Sequence, residues 1–422
     1  TSGVSPFVFL ALPVSTTAEQ QLRCARQWAV RQLQPAAASK QATRSPSAKS
    51  KLTIGYLSAD YHYHATSMLV AELFEKHDRR HFEIIGYSYG RPDDSPLRRR
   101  LVQGLDRFVD LRELSHSAAA RRIADDRVDI LVDLKGYTVG ARTQILAERP
   151  APIQVNYLGY PGTMGAPFID YILVDEFIAP WDQQPGYSEK LVHLPGCYQV
   201  NDSQREIAPR TPSRAECGLP EQAFVFCSFN NTYKITPEIF QVWMRLLHAI
   251  PGSVLWLLES NPTAAANLRR EAEARGVASA RLVFASRLPL EEHLARHRLA
   301  DLFLDTFPVN AHTTASETLW AGCPMVTLAG QTMASRVAGS LLHTLGMPEL
   351  IAKGLEEYEQ IALRLATQPA RLAELQSRLA TNREGSALFD GAKFAPTLEQ
   401  AYETMWSLYC RGQSPRSFSV DL

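Results

Sequence analysis

At 422 residues, 45% apolar and 21% charged, the chain is too long for one ordinary core and has the composition of a globular enzyme of two domains. Lysine plus arginine equals aspartate plus glutamate at 44 each, and there is no long basic block, so nucleic acid is excluded as a partner. No stretch approaches the roughly 18 uninterrupted apolar residues of a membrane span.

Residues 6–14, PFVFLALPV, lack the basic start of a signal peptide. The six cysteines are dispersed without a C-x-x-C pair, which fits a reducing, cytoplasmic setting. The chain begins at threonine, as the interior of a longer protein would. Helical spacing runs over 18–34 through Leu22, Ala25, Trp28 and Ala29. The Ala/Ser/Lys-rich stretch 35–50 then reads as a linker, so residues 1–50 form an N-terminal helical segment and linker.

From Lys51 strands and helices alternate. LTIGYLSAD is a strand running into a loop, Ser67 to Lys76 a helix, and HFEIIGYSYG a second strand. A helical stretch at 116–125 precedes the strand VDILVDLKG, a helix follows around 140–148, and IQVNYLG and YILVD are further strands. The pattern pauses over the proline-containing 195–222. It restarts with FVFCSF, a helix near 237–249, VLWLL, RLVFA and the helix LEEHLARHRLA. Leu302 to Asp305 is the next strand, and helices follow at 334–345, 355–367, 369–381 and 396–409. Such alternation predicts parallel sheets covered on both faces. The expected architecture is α/β: two Rossmann-like doubly wound domains, 51–205 and 206–395, then a C-terminal helix and tail, 396–422. Ligands of such sheets bind outside the carboxyl ends of the strands, which predicts a site in the cleft between the domains.

Four loops at predicted strand ends carry candidate chemistry. In GYLSADYHYHATS, His62 and His64 stand where a proton acceptor for a hydroxyl would be needed, or are structural histidines. The glycines of DLKGYTVGARTQ and YLGYPGTMGAPF permit close backbone approach to a ligand, or make ordinary turns. Lys135 there holds an anion or, on the balance of residue type, is solvated. In SFNNTYKITPE, Lys234 precedes a helix expected to be capped by Thr236 with Pro237 first, and suits a leaving phosphate. In LPLEEHLARH, His293 and Arg296 share a helical face and are placed to meet a base and phosphate. The H-x-x-x-H spacing lacks the following glutamate and a third ligand, so zinc is not expected.

Residues 299–328 give a strand, a loop with His312, Thr313 and Thr314, and a helix to Gly322. Thr314 and Glu317 have the spacing of a capping box, and the helix start can hold a phosphate. From spacing alone, Glu317 is either the cap or an acceptor for ribose hydroxyls. Neither G-x-G-x-x-G nor G-x-x-x-x-G-K-[ST] occurs, which removes the dehydrogenase and P-loop readings.

Over residues 51–410 the chain resembles the catalytic region of the O-linked N-acetylglucosamine transferases, a GT-B glycosyltransferase family (family 41), with the composition of a bacterial member. The blocks that carry the resemblance include GYLSADYHYHATS, KGYTVGARTQILAERPAPIQVNYLGYPGT, YSEKLVHLP, FNNTYKI, EEHLARHRLAD and LDTFPVNAHTTASETLWAGCPMVTL. The resemblance implies inverting transfer of N-acetylglucosamine from a UDP-sugar donor to serine or threonine hydroxyls of a protein or peptide acceptor. No metal or other cofactor is implied. An upstream tetratricopeptide repeat region is expected, although 1–34 show no such repeat.

By the same resemblance, His64 lies beside acceptor and sugar as the proposed general base, with the donor's own phosphate the alternative. Lys234 binds the diphosphate, flanked by Asn231 and Tyr233. Leu288, Pro289 and Leu290 border the uridine, with His293, Leu294 and Arg296 near. His312, Thr313 and Thr314 form the diphosphate loop, Glu317 holds the ribose, and Gly159 and Pro161 border the sugar. Asn231 replaces the glutamine and Glu317 the aspartate of animal members, and Leu290 replaces a lysine that contacts the ribose. The residues also leave open a UDP-sugar epimerase using Asp60 and Asp133, or a UDP-sugar-binding protein without transfer.

Overall fold

The computed structural model describes residues 3–32 and 50–421; the predicted linker therefore falls almost wholly outside the described residues. The strands of the first half are β1 (Leu52–Ser58), β2 (Phe82–Ser88), β3 (Arg107–Asp110), β4 (Ile130–Asp133), β5 (Ile153–Asn156), β6 (Tyr171–Val174) and β7 (Lys190–His193). Those of the second half are β8 (Val225–Ser228), β9 (Val254–Leu258), β10 (Leu282–Ala285), β11 (Leu302–Leu304), β12 (Met325–Leu328) and β13 (Ile351–Ala352). A two-residue strand, β14 (Phe418–Ser419), closes the chain.

Two compact units result. The first comprises 1–10, 16–203 and 390–422, and the second 11–15 and 204–389. In the first, the strand order is β14-β7-β6-β5-β4-β1-β2-β3; in the second, β10-β9-β8-β11-β12-β13. Every pairing described is parallel, as between Leu57 and Asp133 or Phe303 and Cys227. The central strands β4, β5 and β8 are buried along their whole length, which is why they read as continuous apolar runs. In each sheet the order reverses beside the first strand, between β1 and β4 and between β8 and β11. Doubly wound sheets bind ligands at the carboxyl side of such a reversal.

The C-terminal helix, set apart in the sequence reading, belongs to the first unit. It begins at Gly391 rather than 396, because Asp390 accepts from the N–H groups of Ala392 and Lys393, so Pro396 lies inside it. A buried chain of hydrogen bonds fastens it to the sheet: Glu399 to His77 Nδ1 at 2.9 Å, His77 Nε2 to Tyr56 at 2.8 Å, and Tyr56 to Tyr402 at 3.1 Å. The elements without a sequence signal include β3, β7, β13, β14 and the helices Pro6–Leu10 and Pro96–Gln103. β3 buries only Val109, so it never forms an apolar run.

Two helix starts matter for the site. The helix Pro237–Ala249 begins as expected, with the Thr236 hydroxyl accepting from Ile239 N and Pro237 in the first turn. The helix Thr313–Trp320 corrects the capping-box expectation. His312, not Thr314, occupies the cap position, and no side chain caps it.

Candidate active site

In the second unit, chemistry gathers at the carboxyl ends of β8 and β11. Asp305 follows β11, is 1% exposed, and accepts from Thr306 N (2.7 Å), Ala311 N (2.7 Å), the Thr327 hydroxyl (2.6 Å) and Asn230 Nδ2 (3.2 Å). These bonds fold 306–311 into a tight loop, closed further by Thr306 donating to Val309 O and containing a cis Phe307–Pro308 bond. The loop turns the Asn310 carbonyl toward Lys234, whose Nζ donates to it at 2.7 Å. Asn231 and Tyr233 are exposed on the short turn Thr232–Lys234 that presents this lysine.

Beyond the loop, His312, Thr313 and Thr314 lie at the helix start. The N–H groups of Thr313 and Thr314 have no partner among the described residues, as first-turn donors without a cap do not. Burial lowers the Lys234 pKa to about 8, with Asp305 opposing, and lowers that of His312 to about 3, reinforced by Lys234. His312 is thus neutral and Lys234 a poorly solvated cation. An ammonium held against the loop that leads into an uncapped helix start is an arrangement able to meet an anion.

Glu317, one turn into that helix, turns away from the Thr314 N–H. Its carboxylate stands 3.8 Å from His293 Nε2, and burial raises its pKa to about 7, against the pull of Arg205 and Arg296. His293 Nδ1 accepts from Arg296, which leaves its proton on Nε2, facing Glu317. Arg296 itself corrects the reading of a phosphate-facing cation. It is 2% exposed, donates to Ser286 O at 2.6 Å, and lies over the Phe229 ring at 4.7 Å. It is an internal brace for His293. His297 is tied to the His293 carbonyl at 2.8 Å.

Leu288 is exposed at the rim, Pro289 caps the next helix and Leu290 begins it, whereas Leu294 is fully buried and presents no surface to a ligand. Beside them opens a pocket of about 460 Å³ lined by Trp256, Phe284, Ser286, Leu288 and Arg296. Two buried donors at its wall, Trp256 Nε1 and Arg296 Nε, have no hydrogen-bond partner among the described residues.

In the first unit, β1 and β4 end on a buried ion pair. Lys135 Nζ reaches Asp60 at 2.7 and 2.9 Å, with the two residues only 6% and 4% exposed. The expectation of a solvated Lys135 was wrong, because β4 delivers it into the loop that follows β1. His62 Nε2 and His64 Nδ1 lie 3.8 and 3.5 Å from the same carboxylate. His64 also caps the helix Ala65–Lys76, its Nδ1 accepting from Thr66 N at 3.2 Å. Asp133, raised to about 6 by burial, accepts from Lys135 N and Gly136 N. Neither Asp60 nor Asp133 is therefore a free acid–base group of the kind an epimerase would use. Gly159 lets two loops cross: a Cβ there would lie 1.9 Å from Leu134 O. Pro161 is buried in the same loop.

The structure thus groups Asn231, Tyr233, Lys234, His293, His312, Thr313, Thr314 and Glu317 in the second unit, and His64, Gly159 and Pro161 in the first. Sequence reasoning missed Asn230, Asp305 and Asn310, which shape the 306–311 loop, and Arg205, whose guanidinium lies 5.6 Å from the Trp320 ring. A buried acid at a strand end before a Pro/Asn loop was the available signal for Asp305.

The profile of glycosyl transferase family 41 matches residues 23–211 and 206–398. The chain belongs to glycosyl transferase family 41. It is 42% identical, over 88% of its length, to a probable UDP-N-acetylglucosamine–peptide N-acetylglucosaminyltransferase of Arabidopsis thaliana, and 31% identical over 86% to such an enzyme of Caenorhabditis elegans. It spans only 38% and 41% of those relatives. A mutant O-GlcNAc transferase of Thermobaculum terrenum superposes with a TM-score of 0.85 at 32% identity, covering 96% of this chain and 78% of that one. This family-41 chain accordingly has the α/β GT-B fold, made of two Rossmann-like units. No described helix is long and apolar enough to cross a membrane.

Proposed function

We propose that the chain is the catalytic region of an inverting glycosyltransferase that moves N-acetylglucosamine from UDP-N-acetylglucosamine to serine or threonine hydroxyls of proteins. The observation that carries this is the Lys234 ammonium held at 2.7 Å on the Asn310 carbonyl, in the loop that leads into the uncapped start of the helix Thr313–Trp320. As the acceptor oxygen bonds the anomeric carbon and the bond from that carbon to the diphosphate breaks, negative charge collects on the departing UDP. Lys234 and the helix-start N–H groups meet that charge without rearrangement. Glu317 accepts from the ribose hydroxyls, and the neighbouring aromatic pocket with two unpartnered donors suits a nucleobase bearing carbonyls.

The His64 loop of the first unit serves acceptor and sugar. No metal is required, since protein cations and backbone dipoles supply the electrostatic role a metal would fill. The family resemblance also supports an upstream tetratricopeptide repeat region, and the free cysteines a cytoplasmic setting.

Mass spectrometry of proteins co-expressed with the chain tests the reading. Added N-acetylhexosamine on serine or threonine is expected with the wild type and not with Lys234→Ala. Incubation with the donor alone is expected to release UDP; a new sugar-nucleotide isomer instead would assign the chain to epimerases.

A further inference from the structure

The geometry around His64 points to an arrangement that spacing could not show. The Thr66 N–H donates to His64 Nδ1 at 3.2 Å. A backbone N–H can only donate, so Nδ1 presents its lone pair and the proton of the neutral ring sits on Nε2. Among the described residues the one carboxylate near Nδ1, that of Asp60, lies farther away at 3.5 Å and is engaged by the Lys135 ammonium at 2.7 and 2.9 Å. In a hydrolase triad, a carboxylate accepts from Nδ1–H and leaves Nε2 bare to take a proton. Here the ring is turned to the opposite tautomer.

We propose that Lys135 is a positioning residue which, by occupying Asp60, keeps His64 a neutral hydrogen-bond donor through Nε2 rather than a proton acceptor. The inference rests on the transferase reading for its consequence: the hydroxyl proton of the acceptor passes to a phosphate oxygen of the departing UDP, while His64 Nε2–H holds an oxygen of acceptor or sugar in place. The charged and titratable groups around the ring agree. Burial lowers the His64 pKa, Asp60 raises it, and Lys135 and His62 lower it, so the ring is neutral at pH 7.

Two measurements on the full chain test this. Long-range ¹H–¹⁵N spectra, assigned with His64→Gln, are expected to show the Nε2–H tautomer. In Lys135→Met the His64 titration is expected to rise by about one unit, and Lys135→Arg to restore it. An Nδ1–H tautomer, or no movement in Lys135→Met with restoration absent, would overturn the proposal. In turnover, His64→Gln keeps an N–H donor but no base, and is expected to exceed His64→Ala by at least about tenfold. Equal losses would return His64 to the role of base. The spectra need no turnover, so a failed transferase reading leaves them interpretable, whereas transfer with the wrong tautomer refutes this inference alone.

Discussion

His293 Nε2 lies 3.8 Å from the Glu317 carboxylate, with the imidazole proton directed at it by Arg296 from behind. Glu317 is therefore held on the ligand side of its helix and not folded back as a cap. Burial raises its pKa to about 7 from the ordinary 4.5. A group raised in the folded state contributes stability that is full below about 4.5 and lost as pH rises through about 7. Glu317→Gln cannot ionise, so it is expected to gain stability relative to wild type across that window and to match it below. Urea unfolding at pH 4.5, 6 and 8 measures this. The same variant is expected to bind UDP about tenfold more weakly, having lost a charged acceptor. Unchanged UDP affinity would reduce Glu317 to a structural residue.

Lys234 shows the opposite sign. Its pKa is lowered to about 8 from 10.5 by burial, so its stability contribution is present above 10.5 and lost as pH falls through about 8. In the free protein below pH 8 the ammonium carries a desolvation cost that a bound diphosphate offsets. UDP is accordingly expected to bind tightly below pH 8 and progressively less so above it, as the ammonium loses its proton. Calorimetry at pH 7 and 9 reads the difference, which is expected to vanish in Lys234→Ala. Turnover of that variant is expected to fall at least about a hundredfold. Near-normal transfer would remove Lys234 from the leaving-group role.

The strands that stand out in the sequence are those buried on both faces, such as ILVD of β4 and VFCS of β8, because parallel central strands have no polar face to interrupt the pattern. β3 and β13 lie at sheet edges and bury too little to be seen. At the site, residue type and position after a strand singled out Lys234 and His312, which the structure places within reach of each other's charge. They failed for Lys135, expected in solvent, and for Arg296, expected to face a phosphate, because their partners, Asp60 and the Ser286 carbonyl, come from 75 and 10 residues away. Glu317 was ambiguous because one spacing serves two roles. Only the position of His293, on a different helix, separates them.

Metal dependence is a separate expectation. If Lys234 and the helix start supply all the positive charge that departing UDP needs, chelation is expected to leave turnover unchanged. Activity assayed after exhaustive EDTA dialysis, with and without added magnesium, checks this. A loss restored by magnesium would mean that the protein cations alone are insufficient.

Asp305 offers the sharpest separation of architecture from chemistry. It touches none of the groups assigned to substrate, yet four donors converge on it, and two of them, Thr306 N and Ala311 N, are backbone groups that define the phosphate loop. Asp305→Ala leaves both buried without an acceptor, at a cost of about 3 kcal/mol. The loop that turns the Asn310 carbonyl toward Lys234 then loses its anchor. Urea unfolding is expected to show that loss, and UDP affinity to fall more than about tenfold in protein that remains folded. The His64 titration, set by burial and then by Asp60, Lys135 and His62 in the other unit, is expected to stay where it is. If UDP affinity survived the substitution, the loop would not be shaped by Asp305, and Lys234 would be positioned by its own turn, Thr232–Lys234, alone.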